Sequence, residues 1–309
     1  MPSWVFPVVR WKAVSPSDDI VGWLAATGDH LVTWPPGPFE QTPTYCYRLG
    51  QQYWIWQPDV GGVAFTADRP NLLLQPLTDT DPLTFEQLVS RSWLPAVYPI
   101  WNRQVLHASA VASRTGDVIA FTGPSGACKS TTAYGLSQRT MWTMVADDTL
   151  AFSCSDAANE PIALHPLRSE ARLRHATAAH FGQAEATEIP FTWPAMPLRL
   201  KAIYALDASD DPETSVAFTP LRAAESFPLL LAQAHALSLC VPEHNQRLMR
   251  DYLSLAADVP AFRFTFPKCF AALELNFDAL EAHAATHGVD LELTASVAGR
   301  PGSASTAGE

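Results

Sequence analysis

"IAFTGPSGACKSTTAYGL", residues 119–136, decides the reading of this chain. The frame from Gly123 to Lys129-Ser130 follows the phosphate-loop pattern G-x-x-x-x-G-K-[ST] except at one place: Cys128 stands where the pattern has glycine. The residues leading in, "VIAFTG" (118–123), are apolar almost throughout, as in a strand buried on both faces. The residues leading out, "KSTTAYGLSQR" (129–139), can run as a helix. A loop so placed turns successive backbone N–H groups inward, and the helix start adds its positive end. Gly123 and Gly126 allow tight, sterically open backbone. Nucleotide binding is therefore expected at Gly123, Pro124, Ser125, Gly126, Ala127, Cys128, Lys129, Ser130 and Thr131. Lys129 would reach the β- and γ-phosphates, and the Ser130 hydroxyl would ligate Mg²⁺. A purely structural turn is the alternative.

Cys128 bears on how well such a loop works. Cysteine is small, and a helix start tolerates a non-glycine residue if its φ stays negative, so a weakened but working loop is expected. A helix N-terminus and a neighbouring lysine also acidify thiols, which makes an oxidisable switch the sharper alternative.

Outward from the loop, "VLHASAVAS" (105–113) reads as an apolar strand and "RTGD" (114–117) as a turn. "WTMVADD" (142–148) reads as another buried strand, ending in two carboxylates, and "TLAFS" (149–153) continues as an antiparallel-type strand. "RLKAIYAL" and "AFRFTFP" read as strands; residues 223–237, 243–259 and 269–287 read as helices. Residues 1–80 differ in character. They are rich in Trp and Pro, and "TYCYRLG", "QYWIWQP" and "GGVAFTA" read as short strands whose tryptophans pack a sheet. Residues 81–102 read as helical, Thr84 and Gln87 having the spacing of a capping box. The expected division is a small β-rich N-terminal region over 1–100, a catalytic domain over 101–290, and a disordered polar tail over 296–309.

Asp147 and Asp148 lie eighteen residues or so beyond Lys129 with a single helix between. A carboxylate at a strand end beside a phosphate loop can hold Mg²⁺ or a magnesium-bound water. A second one next to it can accept a proton from an incoming hydroxyl. Asp-Asp-Thr is also ordinary turn chemistry. Arg168, Arg172 and Arg174 form the densest basic cluster, the first two at the i, i+4 spacing of one helix face. They suit nucleotide phosphates, an acidic peptide, or a solvated surface.

"LHASAVASRTGDVIAFTGPSGACKSTTA" followed by "MVADDTLAF" resembles the catalytic domain of the HPr serine kinase/phosphorylase family, and more broadly HPr-kinase-like proteins. The resemblance is strong over 105–153 and loose from there to about 285. It implies an α/β fold with a P-loop kinase core related to phosphoenolpyruvate carboxykinase, use of ATP or another nucleoside triphosphate with Mg²⁺, and a serine hydroxyl of a peptide or protein as acceptor. It implies Asp147 as the base that deprotonates that serine, Asp148 as a metal or Lys129 partner, and His107 close to the phosphates. Relatives in ribosomal-peptide pathways, lasso peptides included, phosphorylate a serine of the precursor. The family's second signature, Glu-x-Arg-Gly-x-Gly-Ile, is not found in "IALHPLRSEARLRHATAAHFG" (162–182), where Glu170 could stand in for its glutamate.

The 309 residues are 48% hydrophobic and 17% charged, with a net charge of −11, which argues against a nucleic-acid or anionic-membrane binder. No apolar run of membrane-spanning or signal-peptide length is evident, so a cytoplasmic protein is expected. The five cysteines are far apart and include no C-x-x-C, so neither a zinc site nor a disulfide framework is expected. A homo-oligomer is allowed for. A kinase for a small-molecule hydroxyl and a nucleotide-binding regulator that no longer transfers phosphate stay open beside the serine-kinase reading.

Overall fold

The computed structural model describes residues 9–11, 19–36, 42–155, 161–167, 170–183, 188–234 and 242–291. The segment expected as a tail, 296–309, and Arg168 lie outside these residues. The described chain is mixed α/β, built on two large sheets.

The N-terminal sheet has six strands, in the order Val9–Trp11, Leu72–Pro76, Gly61–Thr66, Gln52–Gln57, Thr44–Leu49 and Asp29–Trp34. Side chains of successive strand residues alternate between faces. Trp54 and Trp56 therefore pack on one side with Leu24 of the helix Ile20–Thr27. Tyr53 and Ile55 pack on the other, against Phe85, Trp93 and Tyr98 of the following helical stretch. Trp54 and Trp56 are core, as their pattern suggests.

That helical stretch begins at Pro82, not within a Thr84–Gln87 box: Asp81 is the cap, its carboxylate accepting from Thr84 N at 2.9 Å. It changes character around Pro95. Proline has no N–H to give to the carbonyl four residues back, here Arg91, and its ring crowds that carbonyl. The chain widens into a π-turn over Val89–Trp93, in which Leu94 N–H donates to Val89 O, five residues back. Tyr98 Oη donates to Pro166 O at 2.7 Å, and the same apolar cluster runs on through Val105, Ala151 and Leu167, so this stretch joins the N-terminal sheet to the rest.

The second sheet runs Trp142–Ala146, Ala108–Ser113, Asp117–Thr122, Arg199–Ser209, Ala261–Pro267 and Ala217–Leu221. Asp117–Thr122 is fully buried and sits between an antiparallel and a parallel neighbour. Ile119 and Phe121 face a layer made by the helices Lys129–Ser137 and Leu273–Thr286. Val118 and Ala120 face Leu230, Tyr252 and Leu255 of the helices Ala223–Ala232 and Pro242–Asp258. Helices thus cover both faces of a largely parallel centre. The helix Lys129–Ser137 meets Leu273–Thr286 so closely that a Cβ on Gly135 would strike the Phe277 ring. Arg139, just past its end, pairs with Glu274, Asp278 and Glu281 at 2.6, 2.8 and 2.7 Å.

Three expectations change. The strand read over 105–113 is two strands, Gln104–Leu106 and Ala108–Ser113, which leave His107 between them and pair with different neighbours. The strand read to Asp148 stops at Ala146, so both carboxylates lie on the turn. Arg172, expected on a helix face, lies instead on a short strand, Glu170–Arg172, paired with Glu188–Pro190.

Candidate active site

The three parallel strands of the second sheet end at one edge. Ligand sites of open α/β sheets lie beyond the carboxyl ends of such strands. Pairing of Ala108 with Thr122 and of Ala146 with Ala110 brings His107 and Asp147-Asp148 to the same edge as the loop. Pairing of Ala208 with Phe266 brings Phe266–Phe270 there too. A cavity of about 760 Å³ opens at this edge.

Among the expected loop residues, Ser125, Gly126, Cys128, Lys129, Ser130 and Thr131 line the cavity; Gly123, Pro124 and Ala127 do not. Gly123 and Gly126 have φ of 141° and 87°, a region glycine enters at no steric cost. A Cβ on Gly123 would lie 3.2 Å from Leu206 O and 3.4 Å from Ala127 Cβ. Lys129 is 6% exposed and its Nζ donates to Gly123 O at 2.8 Å and Pro124 O at 3.1 Å. Burial pushes its pKa down, while Asp148 and Asp147 pull it back up. An ammonium has three donors, so one remains beyond these two carbonyls.

Cys128 caps the helix at φ 69°, ψ 21°, the left-handed region. The condition under which a cysteine would be harmless there, a negative φ, is not met. The thiol is half-buried, and burial raises its pKa more than Lys268 and Arg174 lower it. This direction is opposite to that of an acidified thiol.

The two carboxylates occupy unlike surroundings. Asp147 is 2% exposed; Oδ1 accepts from Ser109 Oγ at 2.8 Å and Oδ2 from Arg172 N at 2.9 Å. Asp148, at φ 65°, keeps its side chain 58% exposed. His107 Nδ1 lies 2.9 Å from Asp148 O and 3.2 Å from Asp148 Oδ1. Both of those atoms accept, so Nδ1 carries the proton and Nε2 is left as the other ring position. All three residues line the cavity.

Mg²⁺ commonly takes one or two carboxylates and completes its shell with phosphate oxygens and water. Ser130 and Asp148 supply a hydroxyl and an open carboxylate on that cavity wall, which suits this mode. Among the described residues no group of three or more His, Cys, Asp or Glu gathers as for a protein-only metal cage.

The cavity also holds residues that sequence reasoning passed over. Arg91 reaches it from the π-turn of the N-terminal part; its pKa is lowered by burial and then by Arg172, with Glu170 and Asp148 opposing. Pro95 in a helical run was the available signal for an irregular turn there. Phe266, Lys268 and Phe270 also line the wall. Their signal was topological: they follow a buried parallel strand at its carboxyl end. Glu170, Arg172 and Arg174, noted in the sequence, line it as well.

What fold and site define together is a glycine-containing loop-to-helix junction with a lysine and a carboxylate pair facing one cavity. No protein-family model matches the chain. No curated protein matches it either. Among solved structures, the Hpr(Ser) kinase/phosphatase from Coxiella burnetii overlaps 59% of this chain and 92% of its own, at 10% identity and a TM-score of 0.33, an overlap too loose to support an argument. No helix among the described residues is long and apolar enough to cross a membrane.

Proposed function

We propose that the chain is a P-loop kinase, its core related to phosphoenolpyruvate carboxykinase, that transfers the γ-phosphoryl group of ATP to a serine hydroxyl of a peptide or protein. One observation carries this reading: the glycine-containing loop with Lys129, the Asp147-Asp148 pair and His107 meet in one cavity at a sheet edge. A pure binder of nucleotide needs no proton acceptor beside its Mg²⁺ carboxylate. Lys129 and the loop hold the β- and γ-phosphates. Ser130 and Asp148 hold Mg²⁺, which neutralises phosphate charge when bound. Asp147 accepts the acceptor's proton. Its two hydrogen bonds fix its orientation and use two of roughly four acceptor positions on a carboxylate. His107 positions Asp148 through Nδ1–H. The acceptor enters beside Arg91, Glu170 and Arg172, so the N-terminal part completes the site.

Incubation with Mg-ATP and a pool of serine-containing peptides, followed by intact-mass detection, should show addition of one phosphoryl group, absent with Lys129→Ala. Undiminished transfer in that variant removes the loop from the mechanism. Transfer only to small alcohols would move the assignment to a small-molecule kinase. A second reading, a nucleotide-binding regulator without transfer, is favoured by one observation: Cys128 holds left-handed backbone where a working loop would be served by glycine. Nucleotide binding without transfer to any acceptor supports it.

A further inference from the structure

The cavity wall at the carboxyl end of the strand Ala261–Pro267 carries, beside Lys268, aromatic and apolar side chains for which phosphate chemistry has no use. Phe266, Pro267, Phe270 and Leu273 line it. Phe270 stands out because it is 41% exposed, on a short turn none of whose residues is buried. A ring so placed contributes little to the core. Its orientation is nonetheless fixed: the His180 imidazole lies on it at 4.4 Å between centroids, with 12° between planes. His180 is not part of the cavity lining, so it backs the ring while Phe270 lines the cavity.

The ring is tied to the loop by a short chain of contacts. Thr131, at the start of the loop helix, meets Thr177 hydroxyl to hydroxyl at 3.1 Å. Thr177 and His180 belong to one helix, His175–His180, and His180 stacks on Phe270. The helix that follows Phe270, Leu273–Thr286, is clamped to the end of the loop helix through Arg139. Phosphate loop and aromatic wall are thus two fixed parts of one cavity, and a nucleotide presents the matching pair of groups, an anionic chain joined to a flat heteroaromatic ring.

We propose that Phe270, backed by His180, is the stacking platform for the nucleobase of the nucleotide whose phosphates the loop holds. The inference rests on the phosphate-loop reading and goes beyond it by placing the base. Stacking engages the π-face that every base has and does not read the base's edge.

The experiment is calorimetric titration of the full chain with Mg-ATP and, separately, with magnesium tripolyphosphate, which has phosphates and no base. Removing an aromatic stacking partner should lower affinity for the base-bearing ligand by about tenfold. Phe270→Ala should therefore reduce the ratio of ATP to tripolyphosphate affinity about tenfold, with tripolyphosphate binding as wild type. Phe270→Tyr should restore the ratio. An unchanged ratio in Phe270→Ala overturns the platform. Equal weakening of both ligands overturns it as well, since the ring then supports the fold and not the base. A wild-type protein that binds tripolyphosphate and gains nothing from the base overturns the platform alone, and one that binds neither ligand overturns the phosphate loop with it.

Discussion

Cys128→Gly tests the loop most directly, with Cys128→Ala as its reference. Alanine removes the thiol and its partly buried packing yet keeps a Cβ at φ 69°, so the step from alanine to glycine isolates the backbone. A non-glycine residue in the left-handed region costs about 1–2 kcal/mol. Glycine recovers this, but it frees the unfolded chain by about 0.4–1 kcal/mol. The net expectation is that the glycine variant is more stable than the alanine variant by about 0–1.6 kcal/mol, at most a few °C in melting temperature for a chain of this size. Affinity should behave differently. The positive φ is present in the ligand-free protein, so the strain is common to free and bound states and cancels from binding. Nucleotide affinity of the glycine and alanine variants should agree within about twofold, a difference of about 0.4 kcal/mol. Thermal melting and calorimetric titration measure the two quantities separately. A glycine variant less stable than the alanine variant would show that residue 128 is not left-handed. Equal stability with much tighter nucleotide binding by glycine would show that the strained backbone is adopted only on binding.

The remaining predictions concern the carboxylates, the arginine of the π-turn and pH. Asp147→Asn should lower the phosphotransfer rate by about 10²–10⁴ and leave Mg-nucleotide affinity nearly intact, while Asp148→Asn should weaken Mg-nucleotide binding. The reverse pattern, which the exposure of Asp148 would accommodate, would mean that their roles are exchanged. Arg91→Gln should raise the acceptor KM about tenfold or more through loss of a charge-assisted contact, with nucleotide binding unchanged by calorimetry; an unchanged KM removes Arg91 from the acceptor side. Burial pushes His165 and His283 down to about 4 from the usual 6.5. Between those values the unfolded chain binds protons that the folded chain does not, so stability is greatest above about pH 6.5 and falls as pH drops toward about 4. Melting temperatures across that window should decline less steeply for His283→Gln than for wild type.

The centre of the second sheet was legible because its strands carry a strong signal. "VIAFTG", "RLKAIYAL" and "AFRFTFP" are long apolar runs, and buried parallel strands need no partner-specific pattern to be seen. The helices 243–259 and 269–287 emerged within a residue or a turn of their observed bounds. The missed elements include two kinds. Ala163–His165, Glu170–Arg172 and Glu188–Pro190 are three residues each, too short for alternation to register. Ala217–Leu221 carries Pro220, which reads as a breaker but is tolerated on the edge strand it forms. Within the candidate site, the loop and the Asp pair were visible as local chemistry, because their residues are consecutive. Arg91 and Phe270 were not, because they sit far from the loop in sequence and only the sheet order and the π-turn bring them to it.

The same distinction explains how Cys128 and His107 were misjudged. Residue type suggested a small cysteine at negative φ that weakens the loop without stopping it, and a histidine within a continuous strand. Their meaning depends on backbone, and the backbone is set by surroundings. Residue 128, the cap of the helix that starts at Lys129, is in the left-handed region although it carries a side chain. The strand changes partners at residue 107, where N–H donates to Gln233 O at 2.8 Å and C=O accepts from Thr122 Oγ1 at 3.1 Å. These two bonds leave no ladder for His107 to join, and the break frees its ring to reach Asp148. A local irregularity that costs the sheet one pairing thus places the histidine against the carboxylate, and it does so through hydrogen bonds contributed by residues 15 and 126 positions away.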